Sequence, residues 1–114
     1  MIQIKGVDPR MIANNLTPHE PTHPGELLKD EIEYRGISQR KLARQMGVAY
    51  SVMNEVLNCK RPVTIEYALL FEAALGIEAE PLIGMQADYN VQTIRQNKLW
   101  SERLASVRKV VAVF

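Results

Sequence analysis

From residue 24 onward the apolar positions recur at helical spacing, and no segment after residue 23 alternates cleanly enough for a strand. The first run is Pro24 to Arg35. Leu28 and Ile32 share a face, Pro24 suits a first helical position, Glu26 sits in the first turn and Gly36 marks the stop. Ser38 is an N-cap for a second helix, Gln39 to Met46, which Ile37 and Leu42 can staple. That helix buries Leu42, Ala43 and Met46 and ends at Gly47. After the short turn Gly47-Val48-Ala49, a third helix from Tyr50 to about Asn58 places Met53, Val56 and Leu57 on one stripe, leaving Tyr50, Ser51, Asn54 and Glu55 outward. Thr64 caps a fourth helix that Gly76 closes after Leu75. It is apolar nearly all round, more than one core requires, which predicts a second buried face. A fifth helix starts near Ala79, with Pro81 tolerated in its first turn and Leu82, Met85 and Tyr89 along it. Trp100, Leu104, Val107, Val111 and Phe114 then recur at spacings of 4, 3, 4 and 3, as in an amphipathic docking helix, while the Val-rich tail leaves a terminal strand open. The expected fold is all-α: an extended lead-in over 1–23, a domain of about five helices over 24–97, and a C-terminal helical extension over 98–114.

The lead-in holds His19-Glu20-Pro21-Thr22-His23, the H-E-x-x-H pattern of zinc proteases. That pattern binds zinc only on a helix, where residues i and i+4 share a face. Pro21 inside it breaks the helix, and Pro18 and Pro24 hold the flanks extended. An extended run separates i from i+4 by roughly 12 Å at about 3.1 Å per residue. The reading is therefore a stiff linker, and neither a metal, a cofactor nor an enzymatic activity is expected. Lone Cys59 forms no intramolecular disulfide, fits a reducing cytoplasm, and reads as a structural thiol with no histidine near it in sequence. The first residues show no apolar leader, and no run approaches the ~18 residues of a membrane span. A cytoplasmic protein without a membrane partner is expected.

The net charge of +1 hides a division along the chain. Residues 35–63 carry Arg35, Arg40, Lys41, Arg44, Lys60 and Arg61 against Glu55 alone, a net +5. Residues 64–90 carry five acidic residues and no basic one. A basic island on an otherwise neutral chain suggests a polyanion-binding face. Within it lie two short helices joined by a tight turn, which describes either a helix-turn-helix or a generic helical hairpin with solvated charges. In a helix-turn-helix the second helix lies in the major groove and needs short or polar side chains near its start. Tyr50, Ser51 and Asn54 meet that need, since Asn pairs with adenine and Ser bonds to any base edge. Gln39 and Arg40 at the start of the preceding helix, and Asn58, Lys60 and Arg61 after the reading helix, are placed to grip phosphates. Glu55 could accept from cytosine, but suits a local salt bridge or a solvated role. Reading DNA with so small a module calls for two copies on a palindromic operator, and the apolar surplus at Leu70, Ala73 and Ala74 with Leu82, Met85 and Tyr89 offers an interface for a homodimer.

The stretch GISQRKLARQMGVAYSVMNEVLNCKRPVT resembles the lambda-repressor-like helix-turn-helix domains of the Xre family. With HPGELLKDEIEYRG before it and EYALLFEAALGIEAEPLIGMQADYN after it, the resemblance is to HigA antitoxins, over about residues 22–97. It implies a protein that binds its own operator as a dimer and neutralises a HigB-like toxin that cleaves mRNA. It also implies that Gln39 contacts phosphate, that Tyr50 and Ser51 read bases, and that Asn58 contacts the DNA backbone. A solitary Xre-type regulator without a toxin is the alternative. The family's pattern is departed from at three places. Ala49 replaces the usual Ser or Thr cap, Cys59 stands where glycine takes a left-handed turn, and Pro81-Leu82 replaces an aromatic pair.

Overall fold

The computed structural model describes residues 21–113, and the side chains of 21–109. Six helices follow in order: α1 (Pro24–Arg35), α2 (Gln39–Met46), α3 (Tyr50–Leu57), α4 (Ile65–Leu75), α5 (Ala79–Gln96) and α6 (Lys98–Val113). No strand occurs among the described residues, so the terminal-strand alternative is set aside. Valine favours strands only where a neighbour offers a ladder, and an all-helical fold offers none. His19 and Glu20 of the zinc-like pattern, and Phe114, lie outside the described residues.

The core draws one stripe from each of the first five helices. Leu28 and Ile32 of α1, Leu42, Ala43 and Met46 of α2, and Met53, Val56 and Leu57 of α3 meet Ala68 and Phe71 of α4, Ala79 and Leu82 of α5, and Val63 from the α3–α4 loop. Most of these are essentially sealed from water, each large side chain contributing roughly 1.5–3 kcal/mol by burial. Leu82 belongs to this core. It was expected on an outward interface, but Pro81 fixes the first turn of α5 so that Leu82 points at the domain and not at a partner. Leu70, Ala74 and Ile83 pack partly against the same core.

The HPGE motif has a structural account. His23 is the N-cap of α1, and its Nδ1 accepts the Gly25 N–H at 2.9 Å. Pro24 occupies a first-turn position where no N–H is missed. At Gly25 a Cβ would lie 2.1 Å from the Val56 carbonyl oxygen, so only glycine lets α1 cross the backbone of α3 this closely. The edge of the His23 ring packs against Tyr89 of α5, with centroids 4.8 Å apart. One residue therefore ties α1 to α5 beside the helix that carries the outward polar side chains.

Other joints are polar. Arg35 donates to the Leu75 carbonyl at 2.8 Å, satisfying the C-terminal end of α4. Glu72 accepts from the Ala79 N–H at 3.0 Å and supplies α5 with the cap that Glu78 does not provide. Gln86 is buried, accepting from the Val63 N–H at 2.8 Å and donating to Asn90 at 2.9 Å. It pins the chain after α3 to α5.

Candidate nucleic-acid interface

α2 and α3 are joined through Gly47, whose φ of 70° places it in the left-handed region that glycine occupies without strain. Buried stripes on both helices turn their opposite faces outward. Ser38 accepts from the Lys41 N–H at 3.3 Å to start α2. Ala49 is the N-cap of α3 and makes no side-chain cap bond, as its methyl group requires.

On the outer face the Arg40 guanidinium lies 4.1 Å from the centre of the Tyr50 ring. This cation–π contact joins the first turn of α2 to the first turn of α3, and at an exposed site is worth about 0.5–1 kcal/mol. Ser51 is exposed and Asn54 half-buried, one turn further along α3, so both polar groups face the same side. Gln39 is half-exposed at the start of α2. Arg40 and Tyr50 are thus brought together, and Gln39, Ser51 and Asn54 lie at or near the surface of the same two helices.

The group after α3 is more tightly wired than expected. The Asn58 side chain donates to the Asn54 carbonyl at 2.8 Å and accepts from Lys29 at 3.1 Å. Cys59 adopts a φ of 64°, the left-handed conformation that favours glycine. Burial, then the charge of Glu26, pushes its thiol pKa up. Arg61 donates through Nε and Nη2 to one oxygen of Glu55, at 3.0 and 2.7 Å. Both partners are nearly half exposed, so the pair exchanges readily for another anion. Lys60 is exposed beside it. Glu55 thus takes the local ion pair anticipated for it.

Sequence reasoning missed two contributors. Lys29 of α1 reaches Asn58, a link between residues 29 apart that no local pattern announces. His23 is the other. Burial lowers its pKa from the ordinary 6.5, opposed by a backbone hydrogen bond at Arg61, so the neutral ring is favoured. Among the described residues no group of three His, Cys, Asp or Glu side chains is arranged to hold a metal.

Two short helices with this turn, an outward polar start on the second and basic residues on both sides define a helix-turn-helix protein of the lambda-repressor-like class. No family model matches the chain. Virulence-associated protein I of Dichelobacter nodosus is 32% identical over 77 residues, 67% of this chain and 71% of that protein. Antitoxin GraA superimposes with a TM-score of 0.64 at 32% identity, over 68% of this chain and 84% of its own. Pseudomonas aeruginosa antitoxin HigA, solved with the higBA promoter, gives 0.63 at 27% identity over 67% and 84%. The chain belongs to the HigA-type antitoxin family of helix-turn-helix regulators. Among the described residues no helix is long and apolar enough to cross a membrane.

Proposed function

We propose that the chain is the antitoxin of a type II toxin–antitoxin pair, which binds its operator DNA as a two-fold homodimer and neutralises a HigB-like toxin that cleaves mRNA. The observation that carries the DNA half is the outward start of α3, where Ser51 and Asn54 stand clear of the core beside the braced pair Arg40 and Tyr50. In this reading Tyr50, Ser51 and Asn54 meet base edges in the major groove, while Gln39, Arg40, Asn58, Lys60 and Arg61 hold phosphates on either side. Arg61 leaves Glu55 for a phosphate, an exchange of one exposed ion pair for another. The protein acts by binding and needs no cofactor. A solitary Xre-type regulator would share all of the DNA contacts and differ only in lacking the toxin.

Co-expression separates the two. The expected result is that the chain restores growth to cells producing a small RelE-like toxin encoded beside its own gene, and co-purifies with it. If no such reading frame adjoins the gene, or its product stays toxic and unbound, the toxin half falls and the solitary regulator stands.

A further inference from the structure

Two apolar stripes stand open to water on the described surface. On α4, Ile65 is 60% exposed and Leu69 51%, with exposed Ala73 continuing the same face at i, i+4 and i+8. On α6, Trp100 is 45% exposed and Val107 54%, with half-buried Leu104 between them. Of the α4 positions expected at an interface from sequence, Ala73 lies on this stripe, while Leu70 and Ala74 pack partly against the core.

The charges that flank the two stripes are opposite. α4 carries Glu66 and Glu72 and no basic residue. α6 carries Lys98, Arg103, Arg108 and Lys109 against Glu102. Two α6 helices brought together would set like charges against each other, and so would two acidic α4 faces. An α6 laid on an α4 sets basic flanks against acidic ones while covering both apolar stripes.

We propose that α6 of one protomer lies across Ile65, Leu69 and Ala73 of a second copy of this chain, the exchange being reciprocal about the two-fold axis. The proposal rests on the homodimer reading above and assigns its contact. Reciprocity is what a two-fold assembly imposes, since whatever one protomer offers the other accepts. It also engages two stripes per protomer, arm and acceptor, toward the about 800 Å² per partner that stable pairs bury. Trp100 is the anchor, its ring already oriented by the Arg103 guanidinium 5.4 Å from its centre.

Sedimentation of the full chain and two paired variants tests this. Trp100→Glu with Leu104→Glu alters the arm, and Ile65→Lys with Leu69→Lys alters the acceptor. All four positions lie outside the core, and circular dichroism checks that each variant keeps its helices. Each variant alone should dissociate at least about thirtyfold more readily, the loss expected for a buried aromatic anchor. Mixed, the two should form heterodimers, because the intact arm of one meets the intact acceptor of the other. Undiminished dimers in either variant, or a mixture that stays monomeric, overturn the exchange and leave the homodimer reading intact. Arm variants that remain dimeric but lose the toxin assign α6 to that partner and equally overturn it. A monomeric wild-type chain removes both readings.

Discussion

Ala49 leaves the start of α3 with one backbone donor fewer satisfied than a Ser or Thr would allow, since it makes no side-chain cap bond. Its backbone is already in the extended conformation a capping residue adopts, with φ −60° and ψ 142°. Ala49→Ser should therefore stabilise the fold by about 1 kcal/mol without moving it, read as a higher urea midpoint at unchanged slope; a midpoint at or below the wild-type value would mean that the serine oxygen does not reach the donor. His23 makes the opposite kind of statement, because its neutral form is the one that caps. Its folded pKa lies below the ordinary 6.5, so below pH 6.5 the unfolded chain takes up a proton that the folded chain resists. Stability from this group is present in full above pH 6.5 and is lost as pH falls from there through the folded pKa. Urea midpoints from pH 7.5 to 5.5 should fall more steeply in the wild-type chain than in His23→Ala, although the variant is less stable at pH 7.5. Parallel slopes would detach the loss from His23.

At the scale of elements, the helices were legible because their punctuation is local. Ser38 and Thr64 cap, Gly36, Gly47 and Gly76 stop, and α1 and α2 lie where the pattern puts them. The outward group on α3 was legible for the same reason, since the buried stripe of Met53, Val56 and Leu57 leaves only one other face. What stayed hidden depends on contacts across the chain. Gln86 reads as a solvated polar residue until Val63 is placed against it. Gly25 reads as first-turn punctuation until the Val56 carbonyl arrives at its α-carbon. Leu82 reads as surplus because a helical stripe names a face without saying what it faces. The Arg61–Glu55 pair and the reach of Lys29 to Asn58 likewise follow only once the α3–α4 loop has folded.

Over the whole molecule, the charge division and the exposure pattern describe one object with two working sides. Arg40 stands at the open start of α3 and Lys60 and Arg61 follow its end, and the acidic stretch that follows carries the exposed face of α4. Reading DNA through one short helix gives little discrimination, so a paired arrangement on a two-fold operator with reading helices about 34–36 Å apart is the form the account requires. In the proposed complex α3 reads base edges while the residues around it hold phosphates. Titration of the full chain on the DNA upstream of its own gene, at several salt concentrations, tests this most directly. Ser51→Ala with Asn54→Ala should weaken binding to that DNA by about 1–3 kcal/mol per lost base contact and leave binding to unrelated duplex unchanged. Lys60→Ala should weaken both equally and reduce the salt slope by about one. A Ser51/Asn54 double variant that keeps its fold and binds the upstream DNA as tightly as the wild-type chain, at every salt concentration, would mean that α3 does not read this DNA.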